Sequence, residues 1–502
     1  MVAIGSDYEP RRHGRTTQRR SRILWLGVVI LTLALRAGPA RTESPTDSER
    51  PHPNLLFIIV DTLRKDHLGC YGYDRATSPT IDELARTGIR FEAAYSVAPW
   101  TLPASATLLS GLYPSSHTAI ESDRILPLSV ETLAERLEAN GYHTGSFVSH
   151  IYMAKNYEMF QGVDKFRVRY GRSTRFVSTE KVVADALQYI GGISESQQPF
   201  FTLVHLFDPH YEYVRHQEFG FAPESAGRLS GEISIDDLEA KQESLTEEEI
   251  ALARAIYDEE IAFTDAGIGR LLAGLDELGV GDDTVVVLAA DHGEEFLDHG
   301  RLGHAHTLYD ELLRVPLIFR LPGGEHGGQV ISEPTSTIHV YPTILDLLGL
   351  EPSSAVQGQS WARRMRGDAD QPSGSSDEAG GATVGEAENV STEWASIPVA
   401  PLFGAAFAEV DSELMSAHLR ALRRGDLKLI LDLDTGRTML FDLSTDPDEA
   451  HDLAGERPEV VVAMREELKA MVSLSRSREA EAGRASLTQE EYDLLKSLGY
   501  TN

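Results

Sequence analysis

Two apolar stretches of the chain each end at an aspartate. Residues 54–60 (NLLFIIV) lead into Asp61. Residues 284–290 (TVVVLAA) lead into Asp291 and His292. Their apolar positions are consecutive rather than alternating, which predicts parallel strands buried on both faces beneath helices. Open α/β folds bind ligands at the carboxyl edge of such a sheet, so we expect the two aspartates to meet there.

Strand-like and helix-like segments alternate along most of the chain. This alternation predicts an α/β fold class with a doubly wound, mostly parallel sheet. Its further elements are expected to be strands at 145–149, 199–205 and 315–319 and helices at 78–87, 128–140 and 247–278. A smaller antiparallel sheet is predicted from three later stretches, at 402–409, 427–431 and 438–443.

From residue 53 onward, the same pattern divides the chain into three parts. Residues 53–350 are expected to form the main α/β domain, and residues 394–502 a C-terminal subdomain with a charged helical tail. Residues 367–393 between them are rich in Gly, Ser, Asp and Glu. Such a segment can bury little apolar surface, which predicts a disordered acidic loop.

Residues 1–41 have the pattern of an export signal. Six arginines between residues 11 and 22 precede an apolar run at 23–35, and small residues follow at 37–40. The run is short for a bilayer span, which favours a cleaved signal peptide, with an uncleaved membrane anchor as the alternative. We therefore expect a periplasmic or extracellular protein that contacts the membrane only if this segment is retained.

Charge and cysteine content narrow the functional classes. The chain has a formal net charge of −32, which excludes nucleic acid as an expected partner because both would be anionic. Cys70 is the single cysteine, so neither an internal disulfide nor a cysteine zinc cluster can form. An anionic substrate would need a local positive charge, which a bound cation could supply.

Three residues form a candidate metal site. Asp61 and Asp291 offer the carboxylate oxygens that hard divalent cations prefer, and the neighbouring His292 extends the preference toward transition metals. The alternative is that Asp61 caps a helix and Asp291 belongs to a turn. We predict one divalent cation, calcium or manganese, with a second cation as an open possibility.

Thr101 is the candidate nucleophile. It precedes a helical run expected to start near Pro103, where backbone N–H groups favour an alkoxide and an anionic substrate. A metal ion at the same oxygen would lower the pKa of the hydroxyl further. The alternative is that Thr101 serves only as a helix N-cap.

Several spaced motifs resemble the sulfatase family within the alkaline phosphatase superfamily. The resemblance covers roughly residues 53 to 460 and implies an alkaline-phosphatase-like fold and hydrolysis of sulfuric or phosphoric esters. The motifs are Pro53–Asp61, Thr101–Gly111, Asp291–Glu294 with His299 and Gly300, Tyr309–Pro316, Tyr341–Leu345 and Leu440–Pro447.

The chain departs from the family pattern at three positions. Thr101 stands where sulfatases have the Cys or Ser that becomes formylglycine, Ser105 replaces the signature arginine, and Thr62 replaces the second aspartate of a pair. Other branches of the superfamily, including phosphoethanolamine transferases and nucleotide pyrophosphatases, use an unmodified threonine. The resemblance therefore implies a variant in which Thr101 itself attacks the ester.

The resemblance also implies roles for three histidines. His210 matches the histidine that binds the anionic head of the substrate, with a simple turn residue as the alternative. His304 and His306 lie where sulfatases carry a lysine. Either imidazolium could replace that charge or protonate the leaving alcohol, and one could instead bind a second metal ion.

These observations predict an exported, metal-dependent hydrolase of anionic esters, either sulfate or phosphate, carried by a glycan or a lipid head group. One alternative is a phosphodiesterase, phosphonate hydrolase or phosphoethanolamine-type transferase on the same fold. The other is a non-catalytic protein that binds sulfated or phosphorylated glycans. The threonine favours phosphorus esters, because phospho-threonine can be hydrolysed by in-line water whereas sulfo-threonine lacks the hemiacetal exit of formylglycine.

Overall fold

The computed structural model describes residues 52–169, 178–210, 213–230, 238, 240–367, 405–412, 416–498 and 500. The predicted export signal at 1–41 and nearly all of the predicted acidic loop at 367–393 lie outside the described residues. Within the described ranges, no helix combines the length and the apolar character needed to cross a bilayer.

An eight-stranded sheet forms the centre of the molecule. Numbered along the chain, its strands are β1 (Asn54–Val60), β2 (Ile89–Phe91), β3 (His143–Val148), β4 (Lys165–Val168), β5 (Phe200–Leu206), β6 (Thr284–Ala290), β7 (Leu317–Arg320) and β8 (Gln329–Ile331). Their order in the sheet is β8-β2-β7-β6-β1-β5-β3-β4. β7 pairs antiparallel with β6 and β2, and the other pairings are parallel. The predicted α/β class with a mostly parallel sheet is therefore confirmed.

The register of the three middle strands brings the ends of β1, β5 and β6 together. Val60, the last residue of β1, pairs with Ala290 at the end of β6 and with Leu206 at the end of β5. Every residue of these strands is buried, as their continuous apolar sequences predict. Asp61 and Asp291 consequently follow neighbouring strands at the same edge of the sheet.

Helices connect the strands and cover the sheet. They are α1 (Pro79–Thr87), α2 (Thr101–Ser110), α3 (Leu133–Ala139), α4 (Thr179–Ile193), α5 (Glu247–Glu277) and α6 (Val340–Leu347), joined by shorter helical turns and strand pairs. α3 begins later than the predicted 128–140 because Thr132 caps it. The Thr132 hydroxyl accepts from the Glu135 amide (3.1 Å), and the Glu135 carboxylate accepts from the Thr132 amide (2.9 Å).

A four-stranded antiparallel sheet follows, as predicted, with strands β9 (Ala405–Ser412), β10 (Ala417–Arg424), β11 (Leu427–Asp432) and β12 (Thr438–Asp442). Strand β10 was absent from the sequence prediction, because its arginines obscure the apolar pattern. Arg420 is nevertheless buried, with its guanidinium 2.6 Å from Asp411 and 3.4 Å from Glu409. The helices α7 (Pro458–Arg476) and α8 (Gln489–Ser497) complete the described chain.

A buried ion cluster joins this small sheet to the main domain. Lys428 on β11 lies 2.6 Å from Asp310 and 2.9 Å from Glu449, measured from Nζ to carboxylate oxygens. All three side chains are largely buried. Removing one member of such a cluster leaves charges without compensation, which is strongly destabilising.

We predict that Lys428→Met lowers the free energy of unfolding by about 3–5 kcal/mol, because the buried carboxylates of Asp310 and Glu449 would lose their compensating charge. Denaturant unfolding monitored by circular dichroism measures this change. Lys469→Met is the matched control, since Lys469 forms an exposed pair with Glu466 and should change the free energy by less than about 1 kcal/mol. Equal effects of the two substitutions would contradict the structural role of the cluster.

Candidate active site

Asp61, Asp291 and His292 meet at the carboxyl edge of the sheet, and all three are fully buried. His292 Nε2 lies 3.4 Å from Asp61 Oδ1 and 3.7 Å from Asp291 Oδ2. Its Nδ1 lies 2.9 Å from the carbonyl oxygen of Gly293, so we assign the proton to Nδ1. The lone pair of Nε2 is therefore directed toward the two carboxylates, as a metal ligand requires.

Thr101 reaches the same place from helix α2. Its hydroxyl oxygen lies 3.3 Å from His292 Nε2, and the side chain is fully buried. The helix begins at Thr101 rather than near Pro103, and Trp100 holds the N-cap position. Thr101 is thus the first helical residue and not the N-cap, and its side chain remains directed at the carboxylate pair.

The turn after Asp61 is held by a tyrosine. Thr62 has a φ of 52°, in the left-handed region that non-glycine residues rarely adopt. The Tyr257 hydroxyl donates to the carbonyl oxygen of Thr62 (2.7 Å) and accepts from the Arg64 amide (2.8 Å). These two bonds fix the backbone that carries the Asp61 carboxylate. Ser105 stands one helical turn after Thr101 and is also fully buried.

A positive charge would stabilise the buried carboxylates of Asp61 and Asp291. In the part of the chain that the structure describes, neither Asp61 oxygen nor Asp291 Oδ2 has a partner in hydrogen-bond geometry. Burial raises the pKa of Asp291 to about 7. Burial and the carboxylates of Asp291 and Glu294 raise the pKa of Asp61 well above its ordinary range. These unpartnered oxygens fit a cation, which would favour the charged form of both groups.

His205 is a further group at this point that the sequence interpretation did not include. It lies on β5 beside Ile59 of β1, and its Nε2 is 3.8 Å from Asp61 Oδ2. One donor atom each from His205, Asp61 and Asp291 lie within 4.8 Å of one another. Neither ring nitrogen has a hydrogen-bond partner among the described residues. The available sequence signal was a histidine within an otherwise apolar buried strand.

His150 and His210 form a second group near Asp61, with one donor atom from each of the three within 4.8 Å of one another. His150 Nδ1 accepts from the Tyr152 amide (3.1 Å), so in the neutral ring Nε2 carries the proton and can donate to an anion. His210 lies in the loop that follows β5, close to Asp208. The Asp208 carboxylate accepts from the amide (2.9 Å) and hydroxyl (2.6 Å) of Thr179, which holds that loop in place.

The structure separates His304 from His306. His304 has its ring centre 4.5 Å from that of His292, and its Nδ1 is 2.8 Å from the Glu294 carboxylate. Burial lowers the pKa of His304 to about 3. His306 instead has Nδ1 2.7 Å from the carbonyl oxygen of His304 and Nε2 3.2 Å from Glu295. His304 is thus grouped with Thr101 and the candidate metal ligands, whereas His306 supports the loop.

The sulfatase family model matches residues 53–350, more than half of the chain. The chain belongs to the sulfatase family. As a sulfatase-family protein it is a sulfatase-like hydrolase of ester bonds, and the resemblance inferred from the motifs is confirmed.

Individual relatives and structures agree with this assignment. An ulvan-active sulfatase from Formosa agariphila is 27% identical over 373 residues, covering 68% of this chain and 70% of the relative. A phosphonate monoester hydrolase of Agrobacterium radiobacter superimposes with a TM-score of 0.64 at 22% identity, covering 84% of this chain and 96% of that one. A 2-O GAG sulfatase superimposes with a TM-score of 0.66 at 20% identity, covering 88% and 96%. The alkaline-phosphatase-like fold of this sulfatase-family chain is therefore confirmed.

We predict that chelating divalent ions lowers the unfolding temperature of the wild type by a few degrees. An ion at about 100 times its Kd adds about 2.7 kcal/mol to the free energy of unfolding, and this contribution is lost on chelation. Asp61→Asn removes one buried charge and one ligand, so its unfolding temperature should not respond to the chelator. Differential scanning fluorimetry with and without chelator measures both.

Asp434→Asn is the control for this experiment, because Asp434 lies exposed in a turn of the small sheet. It should respond to chelation as the wild type does. If Asp61→Asn were as sensitive to the chelator as the wild type, the carboxylate pair would not be the ion-binding group.

Proposed function

We propose that the protein is an exported, metal-dependent ester hydrolase in which Thr101 is the nucleophile. The observation that carries this proposal is the 3.3 Å approach of the Thr101 hydroxyl to His292 Nε2, which itself lies within 3.7 Å of the two buried carboxylates. A hydroxyl, two buried carboxylates and an imidazole in one place form the group needed for attack on an anionic ester. Export is supported by the pattern of residues 1–41.

Asp61, Asp291 and His292 would hold one divalent cation, and His205 is proposed as a fourth ligand. Two imidazoles in the set favour manganese or another transition metal over calcium, which prefers oxygen ligands. When bound, the cation supplies a lower pKa for the Thr101 hydroxyl and compensates the charge of the ester. Thr101 also stands at the N-terminus of α2, whose free backbone N–H groups favour an alkoxide.

Three histidines would bind the anionic group and assist the leaving alcohol. His150 can donate from Nε2, and His210 lies beside it with ring centres 5.8 Å apart. His304 is oriented by Glu294 through Nδ1. We assign the role that the sequence left open between His304 and His306 to His304, because His306 is bonded within its own loop.

The proposed reaction has two steps. The Thr101 oxygen bonds to the phosphorus atom as the bond to the alcohol oxygen breaks, and the proton lost by the Thr101 hydroxyl is passed through an imidazole of the site to the departing alcohol oxygen. Water then attacks the phosphorus atom of the threonyl ester; its hydroxyl stays on phosphorus, and its other proton passes to the departing Thr101 oxygen. The same sequence on sulfur would leave sulfo-threonine without an exit, so we propose phosphate diesters or phosphonate monoesters as preferred substrates. Sulfate esters are the second candidate, favoured by the family membership.

We predict that the wild type hydrolyses an aryl phosphonate monoester or phosphate diester faster than an aryl sulfate. Thr101→Ala should reduce kcat by at least about a thousandfold, because it removes the nucleophile. Thr101→Ser should retain part of the activity. Steady-state kinetics with nitrophenyl esters measures these rates, and Thr87→Ala at the partly exposed end of α1 is the control.

The same assay distinguishes the proposed function from its alternatives. Unchanged turnover in Thr101→Ala would refute the nucleophile, and a higher rate on sulfate would reverse the ranking of substrates. Binding of an aryl phosphate without turnover in the wild type would indicate the non-catalytic alternative. Product formation that requires an added alcohol or amine acceptor would indicate a transferase.

A second prediction concerns the metal ligands. His205→Gln should reduce the manganese content of protein equilibrated with equal manganese and calcium, while Asp61→Asn should reduce the content of both ions. Elemental analysis after gel filtration measures the bound ions without depending on activity. If His205→Gln kept the wild-type ratio of manganese to calcium, His205 would not be a ligand.

A further inference from the structure

A tyrosine from the C-terminal part of the chain lies among the histidines of the site. The Tyr500 hydroxyl is 2.7 Å from His304 Nε2 and 3.2 Å from His210 Nε2. Its ring centre is 6.1 Å from that of Trp100, the residue that precedes Thr101. Tyr500 is only 3% exposed, so it fills space beside the start of helix α2.

The hydrogen-bond pattern assigns the protons of this group. The Glu294 carboxylate accepts from His304 Nδ1 (2.8 Å), so Nε2 of the neutral His304 ring has the lone pair. The Tyr500 O–H donates to that lone pair, and the Tyr500 oxygen accepts from His210 Nε2–H. One hydroxyl therefore engages the lone pair of one imidazole and the N–H of the other.

In this arrangement neither His210 nor His304 has its Nε2 available for a substrate. An oxygen of an anionic ester would accept from His210 Nε2–H along the direction that the Tyr500 oxygen now occupies. His304 Nε2 could take the proton of the Thr101 hydroxyl only after its bond to Tyr500 is broken. We call this arrangement the closed state, because an internal hydroxyl lies where a ligand oxygen would bind.

His150 offers a donor that the closed state leaves accessible. Its Nε2 is buried and has no partner in hydrogen-bond geometry among the described residues. One ring nitrogen of His150 and one of His210 lie within 4.8 Å of each other. An anion therefore meets one N–H donor in the closed state and would gain a second when the tyrosine withdraws.

The segment that carries Tyr500 can open locally. Leu495 and Leu498 are buried in the main core and hold helix α8, which ends with Leu498 at its C-cap. The Tyr500 amide donates to the carbonyl oxygen of Leu495 (2.9 Å), a bond of the kind that closes helix C-termini. Terminal turns open at low free energy, so the tyrosine can withdraw while the helix stays in place.

We propose that Tyr500 is an internal competitor of the substrate. Its hydroxyl occupies the place of an oxygen of the anionic group and must leave before His210 and His304 can act. The ligand is an oxygen of a phosphate or phosphonate ester, so the inference rests on the proposed function. Anion binding and withdrawal of the tyrosine are then coupled, and the apparent affinity equals the intrinsic affinity reduced by the fraction of open molecules.

Tyr500→Phe tests this inference, because it keeps the ring and removes the competing hydroxyl. Loss of two hydrogen bonds from the closed state should lower the Kd of inorganic phosphate about 5- to 50-fold. Titration calorimetry of manganese-loaded protein measures this change. Tyr492→Phe, at a tyrosine of helix α8 that is 39% exposed, is the matched control and should keep the wild-type Kd.

Three results of the titration would overturn the inference. An unchanged Kd in Tyr500→Phe would show that the hydroxyl does not lie in the place of the anion. A raised Kd would show that the hydroxyl helps to hold the anion. The same conclusion against the inference follows if neither the wild type nor Tyr500→Phe binds phosphate.

Hydrogen exchange of the wild type provides a test without any substitution. Saturating phosphate should speed amide exchange in peptides that cover residues 489–500, because the anion displaces the tyrosine and favours the open state. Peptides from β11 should exchange at the same rate with and without phosphate. Slower or unchanged exchange across residues 489–500 would contradict the coupling.

The inference and the proposed function can fail separately. Turnover that is lost in Thr101→Ala, together with equal phosphate Kd values for the wild type and Tyr500→Phe, would refute the inference and leave the proposed function intact. Tighter phosphate binding by Tyr500→Phe in a protein without esterase activity would support the competing hydroxyl and refute the proposed function.

Discussion

The parallel pairing of β1 with β6 places two carboxylates side by side where water is excluded, and the rest of the site is built around that charge. The pairing is complete over seven positions, so a shift in register would break hydrogen bonds within the buried sheet. Asp61 and Asp291 therefore cannot separate to reduce their repulsion. A bound cation is the simplest way to stabilise such a pair, and the groups directed at it are those that a cation can use.

The imidazoles of the site are neutral, which makes the site more dependent on a bound cation. Burial lowers the pKa of His205 to about 3 and that of His292 well below its ordinary range, so these rings contribute lone pairs and N–H donors rather than positive charge. Without a cation, an anionic ester bound here would face the carboxylates of Asp61 and Asp291. Metal binding and substrate binding are thus electrostatically coupled in the proposed mechanism.

Site residues that directly follow a continuous apolar strand could be predicted from the sequence. Site residues that the fold brings in from other segments were harder to predict. Asp61 and Asp291 follow such strands, so their meeting could be inferred. His205 lies within a strand, where nothing in the local pattern separates a ligand from a core residue. Tyr500, whose hydroxyl lies 2.7 Å from His304 Nε2, is brought there by the folding of a distant segment, which no local signal in the sequence predicts. Strand β10 was overlooked because buried arginines interrupt its apolar pattern.

The ion cluster around Lys428 has a consequence for how the enzyme is assembled. Lys428 and Glu449 belong to the last part of the chain, while Asp310 follows the loop that carries His304. Lys428 and Asp310 are 118 residues apart, so a long loop must close before this contact can form. During synthesis the amino-terminal strands can pair first, yet the loop beside them lacks its counter-charge until the C-terminal sheet has folded. The segment after the His304 loop would therefore reach its final charge balance only when the C-terminal sheet is in place.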